Sequence, residues 1–325
     1  MAARGGMKKV DILFSASVSE KHQVKLKEKF SDESFTFCNN MDQAEQDLGH
    51  AEILVTYGDD LTDERILAAK KLKWIMVLSA GMDRMPFNAI GKKGILVTNA
   101  RGIHKIPMAE YAISSLLQVS RQAEQLIKSQ EAHKWDRSVR MQEITGRTML
   151  IAGTGAIGKE VARLAKAFRM KTLGVSRSGS TVEFFDKNVK ASKMNTLLPE
   201  ADFVVSVLPS MPETKDFFIE EHFNLLPAHA IFLNMGRGDA VNGEVLLNAM
   251  QTGEIAHAIL DVFEKEPLPA DHPFWDVKNV TITPHLSGMS PQYQTRALEI
   301  FTENLHTYSQ NGSDWINKID STRGY

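Results

Sequence analysis

The chain has 325 residues, of which 43% are hydrophobic and 24% are charged, and its formal net charge is -2. These values are ordinary for a globular protein with room for two modest domains, and they give no electrostatic reason to expect binding to nucleic acid or to an anionic membrane. Cys38 is the single cysteine, which excludes an intrachain disulfide and a thiolate metal cluster. We therefore expect small-molecule partners, no bound metal and a reducing, cytoplasmic setting.

The beginning of the chain gives no sign of export or membrane insertion. Residues 1–9 lack the apolar core of a signal peptide, and no segment approaches the roughly 18 consecutive apolar residues that a membrane helix needs. From Val10 onward, short apolar strands alternate with helical stretches. Strands are predicted over residues 11–15, 35–38, 53–57, 74–78 and 95–98. This alternation is typical of a parallel α/β domain.

A long amphipathic segment follows these strands. Apolar residues recur at helical spacing from Pro107 to about Gln130, and proline is tolerated in the first turn of a helix. The spacing predicts one interdomain helix that leads from the first domain into a second.

The second domain opens with a predicted strand, residues 148–152, that runs directly into a glycine-rich turn. The turn reads Gly153-Thr154-Gly155-Ala156-Ile157-Gly158. In such a GxGxxG pattern the first glycine permits the tight turn, the second lets the backbone approach a pyrophosphate, and the third lets the next helix pack closely on the strand. The pattern predicts dinucleotide binding. The alternative, a glycine-rich turn without a ligand, is disfavoured because strand, helix and next strand fall in register.

The next predicted strand covers residues 172–176, and the turn at its end indicates which dinucleotide is bound. An acidic side chain in this place accepts a hydrogen bond from the ribose 2′-hydroxyl of NAD. Here the strand runs into Ser176, Arg177 and Ser178, and no acid is present. Arg177 can pair with a 2′-phosphate, and the two serine hydroxyls can donate to the same oxygens. NADP is therefore favoured, with NAD possible; the alternative is that Arg177 is a solvated loop charge.

Four more strands complete the second domain and bring its total to six. They are predicted over residues 203–208, 230–234, 258–260 and 280–283. A helical pattern over residues 291–308 follows, and we expect the last residues to cross back onto the first domain. Six parallel strands make a full doubly wound sheet.

The predicted fold class is α/β, with two doubly wound parallel-sheet domains. A Rossmann dinucleotide-binding domain, residues 101–289, is inserted in a smaller flavodoxin-like substrate domain formed by residues 1–100 and 290–325.

Three polar residues follow strands of the second domain, at the edge of the sheet where ligands bind in doubly wound folds. Arg237 lies in a glycine-flanked turn, Glu266 in the next strand-end loop, and His285 directly after the last strand. When a hydride reduces a ketone, a histidine can deliver the proton, a carboxylate can stabilise the charged ring, and an arginine can hold a substrate carboxylate. Each residue alone would be an ordinary surface or turn residue. Behind a dinucleotide motif, the three together predict a catalytic group.

The chain resembles the D-isomer-specific 2-hydroxyacid dehydrogenase family over nearly its full length. The resemblance is carried by residues 78–83, 153–158, 233–238, 260–269 and 284–288. It implies that Arg237, Glu266 and His285 form the catalytic triad of the family. It also implies that the backbone amides of Ala80, Gly81 and Met82 bind the substrate carboxylate in a cleft between the domains. Arg237 and His285 are the other two residues expected to bind the substrate.

The resemblance has further implications for the cofactor and for assembly. It implies cofactor contacts from Pro209, Thr214 and Met235, and a contact between Asp261 and the nicotinamide carboxamide. Members of the family generally form homodimers through the dinucleotide domain, which implies a contact over about residues 107–146.

The leading hypothesis from the sequence is an NADPH-dependent reductase that converts 2-oxoacids to D-2-hydroxy acids. The candidates for the wall of the substrate pocket are Tyr57, Met82, Trp275 and Met289. Two alternatives stay open. One is an NAD-dependent dehydrogenase of the phosphoglycerate type, and the other is a non-catalytic, dinucleotide-sensing binding module like the corepressor relatives of the family.

Overall fold

The structure, a computed structural model, describes residues 9–82 and 84–320. The chain divides into two compact units: Met1–Ile103 with Ser290–Tyr325, called unit 1, and His104–Met289, called unit 2. Three features of the sequence analysis fall partly outside the described residues. They are residues 1–8 of segment 1–9, Asp83 of segment 78–83, and residues 321–325 at the end of the segment that is expected to cross back onto the first domain.

Unit 1 is built on a single parallel sheet. Its strands are β1 (Asp11–Phe14), β2 (Ser34–Phe37), β3 (Ile53–Thr56), β4 (Trp74–Val77) and β5 (Leu96–Asn99). Its first helices are α1 (Glu20–Lys29), α2 (Met41–Leu48), α3 (Asp63–Ala68) and α4 (Phe87–Lys93). The strand order is β2-β1-β3-β4-β5, which is the flavodoxin-like order. β3 and β4 are buried along their whole length, because helices cover both faces of the sheet.

Unit 2 is built on a larger parallel sheet. Its strands are β6 (Thr148–Ala152), β7 (Lys171–Ser176), β8 (Lys187–Lys190), β9 (Phe203–Ser206), β10 (Ile231–Asn234), β11 (His257–Leu260) and β12 (Val280–Ile282). Its helices are α5 (Lys105–Ser120), α6 (Ala123–Glu131), α7 (Ala156–Ala167), α8 (Glu220–Asn224) and α9 (Gly243–Thr252). The order β12-β11-β10-β9-β6-β7-β8 is that of a Rossmann sheet, and the predicted α/β class with two doubly wound sheets is confirmed.

The prediction of six strands in the second domain was wrong, because β8 makes a seventh. β8 has the sequence Lys-Asn-Val-Lys, in which Val189 is the single apolar residue, so no hydrophobic run marks it. It lies at the edge of the sheet and pairs with β7 alone. An edge strand does not have to fill a core, and lysines at its ends discourage pairing with other chains.

The prediction of one helix from Pro107 to about Gln130 was also wrong. The structure has two helices, α5 and α6, with Pro107 in the first turn of α5. Gln122 separates them with a φ of 55°, a left-handed conformation in which its amide N–H bonds to the Val119 carbonyl. The sequence carries neither glycine nor proline at this break, so it gave no signal for a helix end.

The core of unit 2 has one apolar layer on each face of the sheet. Leu150 of β6 packs into the layer that includes α8 and α9, whereas its neighbours Met149 and Ile151 pack into the layer that includes α5 and α7. β6 and β9 are adjacent in the sheet. The strand that follows β6 is added on one side of this pair, and the strand that follows β9 is added on the other side. The loops that follow these two strands therefore border the crevice where doubly wound sheets bind ligands.

The chain returns to unit 1 after residue 289. Helix α10 (Tyr293–Ser309) stacks Phe301 on Trp74 of β4, with the ring centroids 5.5 Å apart, and Trp315 contacts the same indole edge-on at 5.3 Å. Ile319 joins the apolar cluster on the other face of the sheet. The C-terminal segment thus completes both layers of the unit 1 core. Within the described ranges, no helix combines the length and the apolar character needed to cross a membrane.

The burial of His257 gives the stability of unit 2 a predictable pH dependence. His257 begins β11, bonds through Nε2 to the Thr281 hydroxyl at 2.8 Å, and burial lowers its pKa to about 4. As the pH falls from about 6.5 toward 4, the unfolded chain takes up a proton at this residue and the folded chain does not, so the free energy of unfolding decreases. We expect a loss of about 2 kcal/mol at pH 5 relative to pH 7.5 from this residue.

Urea unfolding of the natural protein and of His257→Gln at both pH values tests this expectation. Glutamine does not titrate. When the pH falls from 7.5 to 5, the free energy of unfolding of the variant should therefore decrease by about 2 kcal/mol less than that of the natural protein. His50→Gln, a substitution of an exposed histidine, serves as the control and should keep the natural pH dependence. Equal losses in the natural protein and His257→Gln would contradict the assignment.

Candidate active site

His285 and Glu266 form a hydrogen-bonded pair at the end of the unit 2 sheet. His285 Nδ1 lies 2.7 Å from Glu266 Oε2, and Glu266 Oε1 accepts the backbone N–H of Phe263 at 2.9 Å. The imidazole is half exposed and the carboxylate is about one-third exposed. Because Nδ1 faces the carboxylate, Nε2 is the ring nitrogen left to exchange a proton with another molecule.

The backbone at His285 adopts an uncommon conformation that the neighbouring strand enforces. Its φ is 52°, in the left-handed region that side chains other than glycine seldom occupy. The amide of His285 donates to the carbonyl oxygen of Asp261 at 2.8 Å and to that of Thr283 at 3.1 Å. Sharp turning of the chain directly after β12 therefore orients the imidazole toward Glu266.

The side chain of Asp261 anchors the same loop. Its carboxylate is fully buried and accepts three hydrogen bonds: from the Thr283 hydroxyl at 2.6 Å and from the amides of Leu286 and Ser287 at 2.9 Å each. Thr283 in turn bonds to the Tyr111 hydroxyl of α5 at 2.7 Å, and burial raises the pKa of Tyr111. The buried Asp261 carboxylate thus fixes the loop that carries His285.

Arg237 lies in a turn that two glycines allow to fit between neighbouring loops. A Cβ on Gly236 would lie 2.5 Å from the Leu208 carbonyl oxygen, and one on Gly238 would lie 1.9 Å from the carbonyl carbon of Phe263. Both positions therefore require glycine. Because the Phe263 amide holds Glu266, the turn that carries Arg237 packs directly against the loop that carries the carboxylate.

Asn234, the last residue of β10, fixes the conformation of this turn. Its side-chain amide donates to the Arg237 carbonyl at 2.9 Å, and its side-chain oxygen accepts the Gly236 amide at 3.2 Å. The half-buried Arg237 guanidinium bonds to the Gly236 carbonyl at 2.9 Å. The structure thus brings the loops of Arg237, Glu266 and His285 together at one end of the sheet.

The glycine-rich turn after β6 has the geometry of a phosphate cradle. Gly153 has a φ of 102°, and a Cβ on Gly158 would lie 1.9 Å from the Gly153 carbonyl oxygen. A Cβ on Gly155, in contrast, would meet no described atom within 4 Å, so the backbone is open on that side. α7 begins here without a side-chain cap and without an acid in its first turn, which leaves its N-terminus suited to an anion.

The middle residues of the cradle are held in position by β7 and by the first turn of α7. Thr154 contacts β7 so closely that a Cβ on Gly174 would lie 2.8 Å from its methyl carbon. Ala156 and Ile157 are the first residues of α7, so their amides belong to the open N-terminal turn. These residues fit the pyrophosphate of a dinucleotide.

The turn after β7 is ordered by its own serines. Ser176 Oγ accepts the Gly179 amide at 3.1 Å, and Ser178 Oγ accepts the Ser180 amide at 3.2 Å. A hydroxyl that accepts a hydrogen bond still has its own hydrogen to donate. Arg177, between them, is exposed to solvent. The turn therefore presents a guanidinium and two hydroxyl donors in the place where NAD-binding sheets carry an acid.

Two of the other predicted cofactor residues have structural roles of their own. Thr214 Oγ1 donates to the Pro209 carbonyl at 2.5 Å and accepts the Met211 amide at 3.0 Å, which closes the loop after β9 on itself. The Met235 side chain is buried in the core, and its amide bonds to Ser206 of β9. Met235 can thus contact a ligand through its backbone but not through its thioether.

The predicted carboxylate-binding residues follow β4 in unit 1. Asn99 donates to the Ala80 carbonyl at 2.9 Å, and the Ser79 hydroxyl lies 2.9 Å from the Gly81 carbonyl. These contacts leave the amides of Ala80, Gly81 and Met82 without a hydrogen-bond acceptor among the described residues. Successive amide N–H groups without an acceptor are available as hydrogen-bond donors to an anion.

The remaining pocket candidates differ in exposure. Met82 is buried, whereas Met289 is 75% exposed. The Tyr57 hydroxyl donates to the Ser17 carbonyl at 3.3 Å, and Trp275, which is half exposed, donates through Nε1 to the Pro269 carbonyl at 2.9 Å. Trp275 therefore fixes the loop that follows Glu266.

Sequence reasoning missed three residues that hold this site: Asn234, Thr283 and Tyr111. Asn234 carried a usable signal, since asparagine before a glycine turn commonly bonds to the backbone two residues on. Thr283 and Tyr111 carried none, because their partners are distant in sequence or depend on strand register. Among the described side chains, no group of three or more His, Cys, Asp or Glu is placed to hold a metal ion.

Comparison with known proteins extends this description. The family profile for the D-isomer specific 2-hydroxyacid dehydrogenase NAD binding domain matches residues 113–287. A D-3-phosphoglycerate dehydrogenase of Archaeoglobus fulgidus is 34% identical over 243 residues, which span 74% of this chain and 46% of the relative. The chain thus matches about half the length of that relative.

Two solved structures share nearly the whole fold. A D-isomer specific 2-hydroxyacid dehydrogenase family protein from Aeromonas salmonicida has a TM-score of 0.87 and 35% identity, with 97% of this chain and 100% of that chain covered. An NADPH-dependent glyoxylate/hydroxypyruvate reductase from Sinorhizobium meliloti, solved with NADP and sulfate, has a TM-score of 0.81 and 25% identity, with 98% and 100% covered. The chain belongs to the D-isomer-specific 2-hydroxyacid dehydrogenase family.

Proposed function

We propose that this protein uses NADPH to reduce small 2-oxoacids to D-2-hydroxy acids. The observation that carries the proposal is the 2.7 Å pair of His285 and Glu266, packed beside the Arg237 turn on the sheet that holds the dinucleotide cradle. Unit 2 binds the dinucleotide and carries Arg237, Glu266 and His285. When bound, a reduced nicotinamide supplies the hydride.

His285 supplies the proton, and Glu266 stabilises the charged ring. In the charged ring, Nδ1–H donates to the carboxylate and Nε2–H is free to donate to the carbonyl oxygen of the substrate. As the carbonyl carbon accepts a hydride, its oxygen accepts the Nε2 proton, so a ketone becomes a secondary alcohol and the imidazole becomes neutral. The Phe263 amide holds Glu266 in place throughout.

Arg237 positions the substrate and stabilises developing charge. Its guanidinium can bind the carboxylate of a 2-oxoacid and also lie near the adjacent carbonyl oxygen, which gains negative charge as the hydride arrives. The glycine contacts of the turn hold the Arg237 backbone in place, so the guanidinium starts from a fixed position.

The preference for NADPH rests on the turn after β7. Arg177, Ser176 and Ser178 offer one cation and two hydroxyl donors to a 2′-phosphate, and no carboxylate is present in the turn to bind the 2′-hydroxyl of NADH. The solved relative from Sinorhizobium meliloti, an NADPH-dependent glyoxylate/hydroxypyruvate reductase, supports the same cofactor and suggests short substrates.

A second candidate function is favoured by the Archaeoglobus fulgidus relative, a D-3-phosphoglycerate dehydrogenase. This function would require a phosphorylated substrate. It is the phosphoglycerate-type alternative from the sequence, in which NAD is the cofactor. The basic turn after β7 favours the NADPH-dependent reductase.

We further propose that the protein is a homodimer assembled through about residues 107–146 of unit 2. Trp135 is 92% exposed and Ile127 is 57% exposed in this segment, which places large apolar surface in solvent in a single chain.

Initial rates of NADPH and NADH oxidation test the proposed activity. The substrates are glyoxylate, hydroxypyruvate, pyruvate, 2-oxoisocaproate, phenylpyruvate and 3-phosphohydroxypyruvate. We expect kcat/KM to be at least about 10-fold higher with NADPH than with NADH, and the best substrate to lack a phosphate, since a 2′-phosphate contact of this type is worth about 1.4 kcal/mol or more.

Two results would contradict this proposal. Preference for NADH with 3-phosphohydroxypyruvate would favour the phosphoglycerate-type dehydrogenase. Tight dinucleotide binding without turnover of any substrate would favour a binding module.

Replacement of Arg237 tests the substrate clamp. Arg237→Ala should raise the KM for the 2-oxoacid and lower kcat, with a combined loss in kcat/KM of about 10²-fold or more, because both binding and charge stabilisation are removed. Arg163→Ala, which removes a guanidinium paired with Glu160 on the surface of α7, is the matched control and should retain activity. An unchanged kcat/KM in Arg237→Ala would remove this residue from the mechanism.

Replacement of Glu266 separates proton transfer from cofactor binding. Glu266→Gln keeps an oxygen for the Phe263 amide but removes the charge beside His285, so kcat should fall by about 10-fold or more while the Kd for NADP stays within about 2-fold. Fluorescence titration of NADP and steady-state kinetics measure the two quantities. An unchanged kcat would show that the pair takes no part in proton transfer.

A further inference from the structure

The seventh strand of unit 2 places a lysine beside the turn after β7. In the pairing of β7 with β8, Lys190 is the register partner of Ser176, and both residues end their strands at the same edge of the sheet. Lys190 is exposed to solvent. Its ammonium group, on a flexible four-carbon stem, can therefore reach the region in front of Ser176 and Arg177.

Gly179 holds this arrangement together. It has a φ of 67°, and a Cβ in its place would lie 2.7 Å from the Lys190 amide nitrogen and 2.9 Å from Lys190 Cγ. The turn that begins at Ser176 thus folds directly onto the end of β8. Only a residue without a side chain permits this contact, so the lysine and the turn form one continuous surface.

The charges around Lys190 leave its ammonium available. The two acidic side chains that precede β8 are engaged elsewhere: Glu183 pairs with Lys159 at 2.7 Å, and Asp186 pairs with Lys166. Within the part of the chain that the structure describes, Lys190 has no carboxylate within salt-bridge distance. A positive charge without a carboxylate partner favours the binding of an anion.

The charge of the expected ligand calls for a second cation. A phosphate monoester carries about −1.5 to −2 charges at pH 7, and Arg177 supplies one positive charge. We propose that Lys190 is a specificity-determining residue that binds the 2′-phosphate of NADP opposite Arg177. This inference rests on the proposed use of NADPH and adds a residue that the turn sequence alone does not contain.

Binding measurements on the intact protein test the role of Lys190. Isothermal titration with NADP and with NAD should show that Lys190→Gln weakens NADP binding by about 10-fold and changes NAD binding by less than about 2-fold, because only NADP carries the 2′-phosphate. The affinity for NADP should also become less dependent on salt. Lys190→Arg keeps the charge and should retain most of the affinity for NADP.

β8 provides a matched control at its other end. Lys187→Gln removes the same charge from the same strand at the register partner of Leu173, far from the turn, and should leave the affinities for both dinucleotides unchanged. If Lys187→Gln and Lys190→Gln weaken NADP binding equally, the effect comes from the overall positive charge of β8 and not from a contact between Lys190 and the 2′-phosphate. That result would overturn the inference.

The remaining outcomes distinguish this inference from the proposed function. If the natural protein binds NAD as tightly as NADP, the proposed use of NADPH fails and the inference fails with it. If the natural protein prefers NADP and Arg177→Gln removes the preference while Lys190→Gln does not, the inference alone fails. Loss of NADP and NAD binding to the same extent in Lys190→Gln would also overturn it, because a structural role affects both.

Discussion

Parallel pairing of the seven strands in unit 2 is the constraint on which the site depends. Since the strands all run the same way, the chain must leave each of them at one edge of the sheet and return to the other through a helix or a loop. The loops after β6, β7, β10, β11 and β12 therefore all lie along the same edge of the sheet, although they span more than a hundred positions in sequence. Gly153 and Arg177 come directly after β6 and β7. Arg237, Glu266 and His285 lie in the loops that follow β10, β11 and β12.

Crowding at this edge determines which residues the loops can contain. Gly236 and Gly238 lie against backbone atoms of the loops after β9 and β11, so a side chain at either position would separate loops that must touch. Asp261 adds a buried carboxylate that bonds to three donors of the loop after β12. Removing a buried acceptor from such donors costs more than the bonds themselves contribute, because the donors are left without partners. Packing and hydrogen bonding, rather than the reacting groups, thus give the site its shape.

The sequence was sufficient for the parts of the fold that have strong local signals. The apolar strands β3, β4, β6 and β10, the glycine-rich turn and the alternation of strands with helices follow from hydrophobic pattern and turn chemistry. The α/β class with two sheets is confirmed. The two errors have a common cause, which is the absence of a local signal. β8 contains one apolar residue, and the break at Gln122 contains neither glycine nor proline, so both depend on tertiary contacts.

The same reasoning explains which site residues were accessible to sequence analysis. Arg237, Glu266 and His285 stand out because they follow three strand ends of a domain that carries a dinucleotide motif. Tyr111, in contrast, is one of several polar residues on α5 and is linked to Thr283 only by the fold. An edge strand such as β8 is free of the demand to fill a core on both faces, so its residues can be selected for charge without loss of packing. A lysine at its end therefore costs little stability, and it lies beside the turn where a second positive charge would distinguish a phosphorylated ribose from a free one.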